Sequence, residues 1–247
     1  MYRRLIVAAV AISLSFALQA QEKQRKAYRP DIPGFFIVDL GFNSGISKPT
    51  NFSQGFWGSR TLNIGYHYPV RIANTKFSYN PGAAFAFERF KFTNNYTVEQ
   101  TQTGTFTLGN PLTDLTFFSG GTIKKSMLVA NYFDLMPVEF RFDSNPKDIS
   151  RGFNVTVGGR VGVLMESHTK INYSLAGHTG TYKDKAQHGL NQFRYGAYAR
   201  VGVGNFNVFW MYNFSPFFET NKFQNSTVDT TPSTMTTMTI GISLNGF

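Results

Sequence analysis

From about residue 35 onward the chain repeats one motif. Large apolar residues alternate with polar residues or glycine, and runs rich in Asn, Thr, Ser and Gly separate these stretches. Alternation with a period of two marks a strand with two unlike faces. Eight strands are predicted, near 35–43, 60–72, 77–92, 124–142, 153–170, 193–203, 206–218 and 233–246. In the second, Leu62, Ile64, Tyr66, Tyr68, Val70 and Ile72 share one face, and Thr61, Asn63, Gly65, His67 and Arg71 the other. The fifth sets Phe153, Val155, Val157, Val161, Val163 and Met165 against Asn154, Thr156, Gly158, Arg160, Gly162 and Glu166. The seventh opposes Phe206, Val208, Trp210, Tyr212 and Phe214 to Asn207, Met211, Asn213 and Ser215.

A soluble sandwich alternates too, but two features favour a closed barrel with lipid outside. The apolar face is crowded with large aromatics, while the other carries Gly, Asn, Arg and Glu, the division expected between a lipid-facing wall and a tight polar lumen. Connection lengths also alternate: about 16, 31, 22 and 14 residues after strands one, three, five and seven, against about 4, 10 and 2 after the others. Long external loops and short periplasmic turns belong to an up-and-down outer-membrane barrel, and an even strand number puts both termini on the short-turn side. The fold class is therefore all-β, an eight-stranded antiparallel up-and-down transmembrane barrel over residues 35–247. Phe35, Phe36, Tyr66, Tyr68, Tyr195, Phe217 and Phe218, at strand ends, are read as interfacial girdles. Trp57 lies in the first long loop, which leaves Trp210 as the lipid-facing tryptophan.

Composition agrees with this division. Of 247 residues only 15% are charged and 16% are aromatic, with 26 Phe and 12 Tyr, although the mean hydropathy of −0.20 is that of a soluble chain. Alternation explains the discrepancy, because a greasy wall averages against a polar lumen and polar loops. The absence of Cys excludes disulfides, thiolate metal sites and Cys nucleophiles. The net charge of +10 is not a nucleic-acid signature: Arg3 and Arg4 open the chain, Lys23, Arg25, Lys26 and Arg29 form one cluster, and the other cations are scattered.

The N-terminus supplies an address. Met1-Tyr2-Arg3-Arg4 precedes fourteen apolar or small residues, Leu5 to Leu18, and the small-residue site Leu18-Gln19-Ala20. This is the form of a secretory signal peptide, residues 1–20, cleaved after Ala20. Residues 21–34, charged and carrying two prolines, read as a periplasmic lead-in.

Eight strands enclose an interior just wide enough for side chains to fill. The inward phases supply Asp39, Glu88, Glu139, Arg141, Arg160, Glu166, Arg194 and Arg200, a nearly balanced set expected to form a lumenal charge network. Glycines 158, 162, 196 and 202 on the same phases leave room for long side chains. Catalysis lacks a motif. His67 and His168 lie on inward phases, and His178 and His188 fall near Ser174 and Asp184 in the third long loop, but no spacing joins them to a nucleophile. The reading is non-enzymatic, with no cofactor and no metal. The loops 93–123 and 171–192 are the candidate binding surfaces, and the small outward residues Ala83, Ala197 and Ala199 would admit a second membrane protein.

Two segments carry a family resemblance. Phe133-Asp134-Leu135-Met136-Pro137-Val138-Glu139-Phe140-Arg141-Phe142 is similar to the acid-x-Pro strand of the PorT-like outer membrane β-barrel family, small barrels of Bacteroidetes-type outer membranes. Val157-Gly158-Gly159-Arg160-Val161-Gly162-Val163-Leu164 resembles its glycine-rich following strand. The family places its acid two residues before the proline, whereas here Leu135 holds that place and Asp134 comes one earlier. Bacterial barrels commonly end in an aromatic residue, and the chain ends in Phe247, on the opposite phase from Met238, Ile240, Ile242 and Leu244. The resemblance implies a structural or accessory subunit of an envelope or type nine-like secretion complex. Its partners would be outer membrane lipid and other outer membrane or periplasmic proteins, without nucleic acid. A surface receptor or adhesin using the long loops is the alternative, and a rim-located enzyme a third.

Overall fold

The computed structural model describes residues 34–111, 120–146 and 152–246. The expected signal peptide, residues 21–33 of the lead-in and Phe247 lie outside the described residues. Among the described residues no helix is long and apolar enough to cross a membrane. The chain folds instead as strands: β1 (Phe35–Ile46), β2 (Arg60–His67), β3 (Val70–Arg71), β4 (Phe77–Tyr79), β5 (Gly82–Phe92), β6 (Thr97–Gln100), β7 (Phe106–Gly109), β8 (Thr122–Asp143), β9 (Phe153–Leu175), β10 (His178–Asp184), β11 (Phe193–Val203), β12 (Phe206–Asn213) and β13 (Thr236–Asn245).

Eight of these, β1, β2, β5, β8, β9, β11, β12 and β13, pair antiparallel with their chain neighbours. β13 returns to β1 in the register Leu40↔Ile242 and closes the sheet, so the architecture is a closed up-and-down barrel. The faces divide as the alternation requires. Phe85, Phe87, Val208, Trp210, Ile240 and Ile242 point out, 40–52% exposed, while Asp39, Asn63, Glu88, Asn207 and Ser243 are buried inside.

The second and third strands are shorter than the pattern predicts, because Pro69 and Pro81 cannot donate to a ladder. Between them β3 and β4 form a small hairpin that pairs with the lower end of β8 through Ser78↔Arg141. Conversely, part of each long loop is ordered: β6 pairs with β7, and β9 runs on to Leu175 before turning into β10. That turn is Ala176-Gly177, both at positive φ, the geometry of a two-residue turn whose twist suits a hairpin.

Register shifts between β8 and β9 decide which residues reach the lumen. Leu135 pairs with Val161 and Val138 with Gly159, so β8 holds one residue more than its partner. The surplus falls at Pro137 and Val138, both exposed. Above the bulge the even residues face inward, Tyr132 and Asp134 among them; below it the odd ones do, namely Glu139, Arg141 and Asp143. A proline suits a bulge because one residue there is excused from the ladder. On β9 a second surplus residue, Met165, flips the phase between Leu164 and Ser167.

The bulge makes a sharp prediction. Deleting Pro137 would restore simple alternation and turn either Asp134 or the set Glu139, Arg141 and Asp143 outward. The deletion variant is expected not to refold to the heat-resistant compact form that gel mobility detects in barrels. Pro137→Val, which keeps the residue count, should refold and lose no more than about 1 kcal/mol in urea titration.

Candidate functional site

The inward side chains form two ion-pair clusters in the middle of the barrel. The first is built on β11, β8, β9 and β5. Arg194 grips Asp134 with two donors, Nε to Oδ1 at 2.9 Å and Nη2 to Oδ2 at 2.5 Å, and its Nη1 donates to Glu88 Oε1 at 2.7 Å. Arg160 adds a bond to Asp134 Oδ2 at 3.3 Å and places Nη2 3.8 Å from Glu88. It also donates to Asn213 Oδ1 at 2.8 and 3.1 Å, and Asn213 donates onward to Thr237. The Arg194 guanidinium lies over the Tyr132 ring, 3.6 Å from its centroid. Two guanidinium groups thus face two carboxylates, and the fork geometry of arginine satisfies both.

The second cluster lies nearer the short-turn end. Arg200 bridges Asp39 Oδ2 and Glu139 Oε2, each at 3.1 Å. Glu139 also accepts from Tyr198 Oη at 2.6 Å and Asn80 Nδ2 at 3.2 Å, and its Oε2 lies 3.2 Å from His67 Nδ1. Below it Arg141 donates to Asp143 at 2.9 Å. Two glycines open the space required. A Cβ at Gly162 would collide with Asp134 Oδ1, and one at Gly158 would sit 2.6 Å from the Tyr198 ring. Larger residues at either place would displace the cluster that the glycine accommodates.

Seven of the eight candidate residues therefore lie buried in the lumen: Asp39, Glu88, Glu139, Arg141, Arg160, Arg194 and Arg200. Glu166 does not. The surplus residue Met165 turns it to the outer face opposite Asn131, whose Nδ2 donates to it at 2.6 Å. His168, expected inward, follows it outward and sits 2.9 Å from Glu166. Asp134, absent from the expected network, accepts three hydrogen bonds in the first cluster, and Tyr198 and Asp143, also absent from it, bind Glu139 and Arg141 in the lower part of the bore. Simple alternation from Glu139 and Arg141 assigns Asp134 to the wall; Pro137 in mid-strand is the signal that could have corrected the phase.

Above the charges the lumen changes character. Phe90, Phe92, Leu128 and Ala130 from the wall meet Phe52, Val98, Leu108, Leu190, Phe217, Phe218, Phe223 and Met235 from the long connections in one buried apolar cluster. Phe218 stacks on Phe223 with centroids 3.6 Å apart, and Phe217 packs edge-on against Phe90 at 4.8 Å. Phe217 and Phe218 are thus a cap over the lumen rather than an interfacial girdle, because the chain leaves β12 at Asn213 and folds back across the mouth. Phe35 also departs from the girdle, its ring stacking on His67 at 5.9 Å by the lower mouth.

Outside the cap, a cavity of about 920 Å³ opens between the β6–β7 hairpin and the β9–β10 hairpin, lined in part by Tyr96, Thr107, Tyr182 and His188. His188 Nε2 lies 3.2 Å from Asp184 Oδ2, and its buried Nδ1 has no hydrogen-bond partner among the described residues. His178 and Ser174 lie on the hairpin itself, opposite Leu175 and Thr179, so neither completes a nucleophile–base–acid set with this dyad. The connection after β12 carries Asp229, whose pKa is lowered by hydrogen bonds from the Thr231 side chain and backbone and from Asn225.

Breaking the first cluster should be costly. Arg194→Met removes three charge-assisted bonds and leaves Asp134 and Glu88 with Arg160 alone, an expected loss of about 3–5 kcal/mol in urea unfolding. Lys222→Met, which removes the exposed Lys222–Glu219 pair, should change the same measurement by less than about 1 kcal/mol.

No family model matches the chain, and no curated protein matches it either. Among solved structures it is similar in outline to Neisserial surface protein A, with a TM-score of 0.39, 10% identity, and coverage of 87% of this chain and 96% of that one.

Proposed function

We propose that the protein is an integral outer membrane barrel that conducts nothing and catalyses nothing, and that it serves as a structural or accessory subunit of an envelope or type nine-like secretion complex. The observation that carries this reading is the pairing of an apolar outer wall with a doubly blocked interior. Ion pairs fill the middle of the lumen, and the aromatic cap closes the end where the long connections gather. A barrel whose bore is filled works through its surfaces, either the wall or the loops. In this orientation the described connections 68–81, 144–146 and 204–205 face the periplasm, and 47–59, 93–111, 176–192 and 214–235 face outward. The resemblance to PorT-like barrels supports the subunit role.

The cavity between the two loop hairpins favours a second reading, a surface receptor or adhesin that takes a ligand at the mouth. Mild-detergent extraction separates the two. A subunit leaves the membrane with a partner in fixed ratio, whereas a receptor leaves alone and binds an external ligand.

The membrane assignment has its own test. Val208 is the third of the eight residues of β12 and lies on the wall, 52% exposed. Val208→Arg should cost about 2–4 kcal/mol if lipid covers that face, and close to nothing if water does. The wild type is expected to require detergent and to show no steady conductance in planar bilayers. An open-channel signal would overturn the sealed-bore reading.

A further inference from the structure

On the outer wall, at the loop end of the apolar band, five cations gather on four neighbouring strands. Arg60 on β2 is directly opposite Arg89 on β5, and Lys91 follows two residues later on the same face. Met127, opposite Lys91, lies between it and Lys170 on β9, and Lys125 stands next above Met127 on β8. None of the five forms an ion pair with a described residue. The carboxylate of this face, Glu166, is engaged by Asn131 and His168 and lies 3.9 Å from Lys183. Like charges placed directly opposite on adjacent strands destabilise a sheet, so an uncompensated Arg–Arg pair calls for an external counterion.

The two arginines are held in place. Arg60 Nε donates to the Trp57 carbonyl at 2.7 Å and Arg89 Nε to the Gly58 carbonyl at 3.1 Å. Both acceptors belong to one turn that folds back over β5, tied down by Gly55 N to Lys91 O at 2.9 Å and Lys91 N to Ser59 Oγ at 3.0 Å. The terminal Nη groups of both forks remain without partners among the described residues. The same turn presses Phe56 and Trp57 against Phe42, with centroids 4.7 and 5.4 Å away, although both rings stay more than half exposed. Beside the cations runs a groove of about 800 Å³, lined by Leu40, Phe42, Trp57, Leu62, Phe87 and Val129 and edged by Arg60, Arg89 and Lys170.

An apolar groove beneath anchored, unpaired guanidinium forks has the form of an amphiphile's binding site. We propose that it holds a phosphorylated lipid of the outer leaflet, with acyl chains along Leu40, Leu62 and Phe87 and phosphate bridged by Arg60 and Arg89. Lys91, Lys125 and Lys170 take up further phosphate charge. Planar guanidinium pairs match phosphate oxygens bidentately, and indole and phenyl rings favour the headgroup level. The inference rests on the outward orientation of the long loops proposed above.

The test uses the full barrel in neutral-detergent micelles, with bound lipid counted by native mass spectrometry. The probes are a bisphosphorylated lipid A and the same lipid stripped of phosphate. The wild type should bind the phosphorylated form about tenfold more tightly. Arg60→Gln/Arg89→Gln should lose that preference, and Lys91→Gln/Lys125→Gln/Lys170→Gln should weaken it, while Lys222→Gln leaves it intact. Both multiple variants relieve like-charge repulsion and should keep the heat-resistant mobility of the wild type. Equal binding of the two lipids by the wild type, an unchanged preference in the arginine variant, or displacement of the lipid by equimolar inorganic phosphate would each overturn the proposal. A wild type that stays soluble and monodisperse without detergent would instead overturn the membrane reading, a separable result.

Discussion

Closing eight strands into a narrow barrel leaves an interior with little room for bulk water, and every charge turned inward must meet its opposite there. The remainder of the structure follows from that constraint. Apart from Arg160–Asp134, which links the neighbouring β9 and β8, the pairs of Arg194 and Arg160 with Asp134 and Glu88, and of Arg200 with Asp39 and Glu139, join strands that are not sequence neighbours, so they fix register across the bore as well as along the wall. Glycines 158 and 162 exist in service of those clusters. So does the bulge at Pro137, which lets a single long strand present Asp134 to one cluster and Glu139 to the other. Without the phase change, β8 could supply only one of them.

Replacement of a buried ion pair by apolar residues is often neutral for stability, so the clusters are not explained by stability alone. Their position suggests specificity. A barrel with an apolar wall and an apolar bore could invert or slip, because the two faces of each strand would be interchangeable. Charges that can be satisfied only inside make the two faces inequivalent.

The alternation of residues was enough to expose the strand count, the closed topology and the inward position of seven charged side chains, since each depends only on a period of two along short segments. What it could not expose are events that break the period. Glu166 and His168 moved outward and Asp134 inward because one extra residue, Met165 or Pro137, shifts everything beyond it, and nothing in a local pattern reports the residue count of the partner strand. Phe217 and Phe218 were misplaced for a different reason. They are aromatics at the end of the seventh predicted strand, but Pro216 interrupts that strand and the chain turns over the mouth, where Phe52, Phe90 and Phe223 offer a larger apolar surface. A connection that buries itself is invisible to periodicity, because its contacts are distant in sequence.

The two ends and two faces of the barrel are thereby assigned different chemistry. The bore holds charges that pair with one another, and the cap above it is apolar, so packing closes both to a ligand. Cations without a carboxylate partner among the described residues gather instead where the wall meets the long connections: Arg60 and Arg89, with Lys91, Lys125 and Lys170 beside them. Inside the barrel the sequence spends its charges in pairs, whereas on this upper wall it leaves cations unpaired in a sheet that would be more stable with carboxylates interspersed. Self-repulsion retained at one place and eliminated at another a few strands away is the pattern of a surface shaped for something outside the chain.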